Sequence, residues 1–364
     1  MCMDEKRLKY VEDYLKVGIA MQPAKKHRDE FLNVHKYEIP EKLYYYQPFS
    51  QKHHVKSLCE FKLWCSFPSE FNDPNDSKVI IDVDEVMKKI GIINKIKDAS
   101  LTDVKMMIQE MLENDKKNFK FRFERNQENL DAYSYDKDKA TFFGYSCYVL
   151  GIQREYLRKQ WLYLVRLEEL ICKSNDKKEL ISLYKTYLGS IMEEKVESSK
   201  RAYAVCSFTT NPNDMLMWTH YADQHRGICL EFSRDSILKT FWMFFPVIYD
   251  KPISYSNLLN KNAKRIQNIE DFYLKRYLYK TKNWQYEDEW RAILETKLEC
   301  KFFFENTKGF LSAEIIPNKV FLGNNMGSDD KRFIRYLLDK KNQDLHTNIT
   351  TIDMHIRKDT WDFE

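Results

Sequence analysis

Glycine and proline are scarce, nine of each in 364 residues. That scarcity argues against collagen-like fibres, long flexible linkers and low-complexity disorder. Eight cysteines occur, at 2, 59, 65, 147, 172, 206, 229 and 300, and none stands in a CxxC pair. Zinc-ribbon and thioredoxin motifs are therefore unsupported. No GxxxxGK[ST], GxGxxG or GxSxG stretch occurs, so neither a glycine-rich phosphate cradle nor a nucleophile elbow is expected. No run approaches the about twenty apolar residues of a membrane-spanning helix. The first residues, MCMDEKRLKY, are charged and lack the apolar centre of a secretory leader. The expectation is a cytoplasmic protein with reduced thiols and no membrane partner. Charge of one sign is also missing: 59 basic against 55 acidic residues leave +4. Such a balance does not demand nucleic acid as partner. No internal repeat is visible.

What the chain does have is an ordinary globular share of apolar residues, 43%, with 31% charged and a high 15% aromatic. The length suits two domains, or one with a large insertion. Residues 1–39 read as an N-terminal helical segment, interrupted near Pro23. Residues 40–83 read as the first part of a sheet domain, with strands at Lys42–Tyr46 and Phe61–Phe67 around a short helix, Gln51–Glu60. From 84 to 200 the composition turns rich in Lys and Glu, with apolar residues at helical spacing such as Val104, Ile108 and Leu112. This predicts an inserted helical subdomain, in which Ala140–Gly151 is either a strand or a buried helix start. One stripe is predicted on Leu162, Val165, Leu167, Leu170 and Ile171. Residues 201–364 read as the second part of the sheet domain. They hold edge strands in 241–255, a helix over Asn262–Lys280 and strands at Trp284–Leu294, Lys301–Phe304, 319–323 and 347–356. The fold class is α+β, with a mixed or antiparallel central sheet.

The chain is organised around Tyr203–Phe232. Tyr203, Val205, Ser207 and Thr209 alternate with Ala204, Cys206 and Phe208, as in a strand. Asn211-Pro212-Asn213-Asp214 is turn chemistry, and Asp214 or Asn213 can cap a helix over Met215–Asp223 with Leu216, Trp218 or Thr219, and Ala222 on one face. Gly227 breaks the segment before a strand through Ile228, Leu230 and Phe232. Trp218, His220, Tyr221, Asp223, His225 and Arg226 crowd this connection, either as a presented site or as loop packing. His220 and His225 do not share a helical face, and HxxDxH is no zinc signature, so no metal is expected.

If Trp284–Leu294 is a strand, Gln285, Glu287, Glu289 and Arg291 share one face. Two glutamates on a sheet face make poor core. The face is either solvated, with an ion pair, or lines a cleft where a carboxylate meets substrate.

These blocks are recognisable in combination: Leu43-Tyr44-Tyr45-Tyr46, Phe71-Asn72-Asp73-Pro74, Cys206-Ser207-Phe208-Thr209-Thr210, Leu216 to Asp223 with Gly227, and Trp284 to Arg291. The chain resembles the bacterial domain-of-unknown-function family 2971 over roughly residues 40–80 and 200–325. The order of parts also resembles the ADP-ribosyltransferase fold. It departs from that fold in having no His or Arg at the early tyrosines and no Ser-Thr-Ser triplet at Ser207. This second resemblance implies an NAD-consuming transferase or glycohydrolase, an antiviral-defence or toxin-like effector by analogy. NAD would be its substrate, and the acceptor a protein or nucleic acid. It implies Glu289, Glu287 and Tyr221 as catalytic, and Tyr44, Tyr46, Ser207, Thr209, Trp218, His220 and Arg291 as NAD-binding. The alternative is a non-catalytic nucleotide- or ligand-binding sensor whose helical insertion docks a partner protein.

Overall fold

A computed structural model describes residues 3–16, 25–133, 161–199, 203–258, 269–295, 309–357 and 363. Two helices lead the chain, α1 (Met3–Lys16) and α2 (Lys25–His35), followed by strand β1 (Lys42–Gln47), α3 (Lys52–Glu60), β2 (Lys62–Ser66) and the short β3 (Val79–Ile80). Helices then dominate: α4 (Val83–Lys89), α5 (Ile92–Lys97), α6 (Leu101–Tyr133), α7 over 161–173, and α8 (Lys177–Ser199). The central stretch supplies β4 (Tyr203–Phe208), α9 (Met215–Tyr221) and β5 (Ile228–Ser233). After α10 (Arg234–Thr240) come β6 (Met243–Pro246), β7 (Ile248–Tyr249), β8 (Ile253–Ser254), α11 (Ile269–Arg276) and β9 (Tyr279–Lys280). The chain closes with β10 (Trp290–Glu295), β11 (Gly309–Glu314), β12 (Lys319–Leu322), α12 (Ser328–Leu345) and β13 (Thr350–Asp353).

The strands form two main sheets. One is antiparallel, in the order β11-β2-β4-β10-β6; the other runs β1-β5-β12-β13 and is antiparallel except for its last pair. A bridge joins them: Tyr44 and Thr209 exchange backbone hydrogen bonds at 2.8 Å in both directions. The alternation of β1 decides what lies on either side of this seam. Leu43 and Tyr45 enter the main core with Phe208, Phe232 and Ile293, while Tyr44 and Tyr46 join a smaller cluster around Met217, Trp218, Cys229 and Phe321. The N-terminal helices feed the main core through Tyr10, Val11, Tyr14 and Phe31. A separate core inside 87–187 is built from Val104, Ile108, Leu112, Leu164, Leu167, Ile171, Leu180 and Tyr184 among others. The strands flanking this insertion, β2 and β4, are neighbours in one sheet, paired at Ser66 and Val205. Among the described residues no helix is long and apolar enough to cross a membrane.

Several expectations are corrected. The Trp284–Leu294 strand is in fact a 3₁₀ helix, Lys282–Glu287, then a left-handed residue, Asp288 (φ 44°), and only then β10. Tertiary contacts override the alternation: Arg7 and Thr210 both grip the Asp288 carboxylate. The helix read to Lys280 ends at Arg276, because Tyr279 and Lys280 pair in parallel with Ile248 and Tyr249. The helix read to Asp223 stops at Tyr221, and Asp223, Gln224 and His225 all take left-handed φ angles of 49°, 54° and 66°. Gly227 matters through close approach, since a Cβ there would sit 2.3 Å from the Gln47 carbonyl oxygen. The α7 stripe is Leu164, Leu167 and Ile171, with Leu162 and Leu170 exposed. Ala140–Gly151, Lys301–Phe304, the break near Pro23 and residues 262–268 lie outside the described residues.

Candidate functional site

A cleft of about 400 Å³ opens over the face of the five-stranded sheet, beside the Tyr44–Thr209 bridge. That volume is in the usual range for small-molecule sites. Tyr44, Tyr46, Ser207, Thr209, His220, Tyr221, Glu287, Glu289 and Arg291 all line it. Segments far apart in sequence thus converge on one cleft.

Trp218 does not line the cleft, and its expected NAD-binding role is corrected. Its side chain is wholly buried, its indole N–H donates to the Pro212 carbonyl at 2.8 Å, and its ring meets Tyr46 edge-on at 5.2 Å. The reason is helix phase. Asp214 caps α9 by accepting from the N–H groups of Leu216 and Met217, at 2.8 and 3.0 Å. From that start Met217, Trp218 and Ala222 turn inward and Leu216 turns out, with 48% exposure, against the expected face. Tyr221, at the end of α9, reaches Glu287: its hydroxyl donates to Oε1 at 2.7 Å. His220 is exposed at the rim, 6.3 Å from the Trp284 ring.

Behind this wall lies a buried cluster of five charges, Asp76, Lys280, Glu287, Glu289 and Arg291, none more than 4% exposed at the side chain. Arg291 and Ser207 are cross-strand partners on β10 and β4, and Glu289 lies two residues before Arg291 on the same face. The Arg291 guanidinium donates Nε–H to Glu289 Oε1 at 2.7 Å and Nη2–H to Oε2 at 3.0 Å. It also donates to both Asp76 oxygens, at 2.9 and 2.5 Å, and to the Tyr277 carbonyl at 2.6 Å. All five of its N–H bonds are thereby used. Arg291 lines the cleft yet has no donor left for a ligand, so it acts by orienting Glu289. Lys280 Nζ donates to Glu287 Oε2 at 2.5 Å and Glu289 Oε2 at 3.2 Å, and sits 4.9 Å from the Trp284 ring centre.

The two glutamates are pushed apart. Burial alone would raise Glu289, but Arg291 and Lys280 outweigh it, and the Ser207 hydroxyl adds a bond, so its carboxyl is held well below the usual range. Burial and the charge of Glu289 push Glu287 up to about 7, against the pull of Lys280 and Tyr221. Burial and Glu287 raise Tyr221, which therefore stays a neutral phenol that donates to Glu287. The hydroxyls of Tyr44 and Tyr46 are committed to Glu231 (3.2 Å) and the Asn211 carbonyl (3.0 Å), and their rings meet Phe321 and Trp218 edge-on.

Sequence reasoning missed Lys280, Asp76 and the rings of His53, His54 and Trp64, all of which line the cleft. Lys280 was hidden by the over-long helix. Asp76 sat among turn residues expected to bond their own backbone. Asp73 does so, accepting from the Asn75 N–H at 2.8 Å, whereas Asp76 reaches Arg291. An arginine predicted inside a sheet was a signal to look for a second buried carboxylate.

Residues 217–292 match the family model described as Protein of unknown function (DUF2971). The family resemblance is thereby shown over this span, which runs from α9 to β10 and carries Tyr221, Lys280, Glu287, Glu289 and Arg291, while the blocks at 43–46, 71–74 and 206–210 lie outside it. No curated protein and no solved structure matches the chain.

Proposed function

We propose that the cleft binds NAD and breaks the bond between nicotinamide and ribose, passing the ADP-ribosyl group to a protein or nucleic-acid acceptor or to water. The observation that carries this reading is the convergence of an ionised carboxylate, Glu289, with Tyr221, Tyr44 and Tyr46 in one cleft. The order of parts along the chain resembles that of the ADP-ribosyltransferase fold, and Ser207 bonds to Glu289 as that reading asks of a middle strand. A flat cationic ring suits a wall of tyrosines beside carboxylates.

In the step, the ribose C1′–N bond breaks and its electron pair leaves on neutral nicotinamide. Positive charge builds on the ribose and Glu289, already held ionised and oriented, stabilises it. The incoming hydroxyl bonds to C1′ and gives its proton to Glu287, whose affinity for a proton near neutral pH suits a base. Such an NAD-consuming protein would serve as a toxin-like or phage-defence effector.

The test is to incubate the protein with NAD and follow free nicotinamide. Wild type releases it, and Glu289→Gln loses at least about a hundredfold in rate, the scale of losing one preorganised electrostatic contact. No release from wild type refutes turnover; equal release from both refutes the role given to Glu289. One observation favours a second reading, capture without chemistry: Glu289 is only 3% exposed, and Arg291, Lys280 and Ser207 already bond its oxygens. In that case NAD binds and is recovered intact, and the helical insertion docks a partner that reads the bound state.

A further inference from the structure

The wall of the cleft away from the carboxylates has its own chemistry. β2 lies across β4 from β10: Ser66 pairs with Val205, and Ser207 pairs with Arg291. Trp64, on β2, is therefore two strands from Arg291, on the order of 10 Å at ordinary strand spacing. Over it lie two histidines from the first turn of α3. The His53 ring is 4.3 Å from Trp64 and 4.2 Å from His54, tilted by 41° and 43°. All three line the same cleft as Glu289.

Burial, and then the neighbouring His53, push His54 down to about 4; burial lowers His53 too. Both rings are neutral at physiological pH. His54 is 7% exposed, and its buried Nδ1 has no hydrogen-bond partner. An unpaired buried ring nitrogen is costly and is conspicuous in a native site. One end of the cleft thus carries three carboxylates against two cations, and suits a positively charged ring. The other end carries flat neutral rings, and suits a flat neutral heterocycle that stacks on them.

We propose that His53, His54 and Trp64 form a purine subsite that holds the adenine of a dinucleotide whose cationic ring lies at Glu289. The assignment of the two ends rests on the NAD reading; the recognition of a purine by this wall does not require turnover.

The experiment titrates the full chain with ADP, which carries only the purine half, and separately with nicotinamide mononucleotide, which lacks it. Wild type, Trp64→Leu and His53→Ala are compared, with circular dichroism and thermal melting confirming that each folds. ADP affinity is expected to fall on the order of tenfold or more in each variant, as for loss of one base-stacking partner, while mononucleotide affinity stays unchanged. Failure of ADP to bind wild type, or equal ADP affinity in folded variants, overturns the subsite. If NAD is consumed under that outcome, the subsite alone falls. If ADP binding follows the ring wall and NAD is never consumed, the subsite stands and the turnover reading falls.

Discussion

Replacing Glu287 with Gln keeps the side-chain shape and removes one titrating group from a buried cluster. With all five groups ionised, Asp76, Glu287 and Glu289 face Lys280 and Arg291, one negative charge in excess. A single proton on Glu287 neutralises the cluster. The folded protein holds that proton up to a pH of about 7, whereas the ordinary value is 4.5. A raised folded value means that the folded state binds the proton more tightly. The contribution is full below 4.5 and is lost as pH rises through 7. The difference of about 2.5 units, at 1.36 kcal/mol each, amounts to about 3 kcal/mol. Urea unfolding of wild type and Glu287→Gln at intervals from pH 4.5 to 8.5 gives the measurement. Comparing the two proteins cancels His54, whose lowered value makes stability rise with pH over part of the same range. Wild type should lose about 3 kcal/mol relative to Glu287→Gln between the ends of the range. A flat difference would mean that Glu287 titrates like a solvated carboxylate. A difference of opposite sign would mean that Lys280 dominates it. Either result refutes the division of labour between the two glutamates.

Three further outcomes follow from the same contacts. Arg291→Lys cannot reproduce the paired bonds to Asp76 and Glu289, and should lower unfolding free energy by about 3–5 kcal/mol, measured by urea denaturation; a loss under about 1 kcal/mol would mean that Lys satisfies the same cluster. Arg7→Ala removes the grip of α1 on Asp288 and on the Val247 carbonyl, where Nη1 donates at 2.7 Å; thermal melting should report about 1–3 kcal/mol, and nicotinamide release should fall because the turn between the glutamates is freed. Asp214→Ala uncaps α9 and should cost about 1 kcal/mol, while Asp214→Asn restores most of it.

Much of the scaffold was legible because short-range physics produced it. The β2, β4 and β5 strands follow their alternation and β1 its run of tyrosines, the Asp214 cap was visible in the turn chemistry, and the insertion was visible as helical spacing. Tyr221, Glu287 and Glu289 stood out through the resemblance to the ADP-ribosyltransferase order of parts. Errors gathered where a distant residue reshaped the local backbone. Asp288 turns left-handed in the grip of Arg7, some 280 positions away in the chain. Lys280 leaves its expected helix to pair beside Tyr249. Trp218 looked like a ligand wall and proved to be packing, because the cap set the phase of its helix.

By itself the order of residues determined most of the strands and helices, and which side chains could do chemistry, since periodicity, caps and residue type are local. Only the tertiary structure decided that Arg291 is saturated, that Glu287 rather than Glu289 holds a proton near neutral pH, and that a histidine–tryptophan wall shares their cleft. Those properties depend on burial and on charges brought within a few ångströms by the fold, as Asp76 and Arg291 are from 215 positions apart.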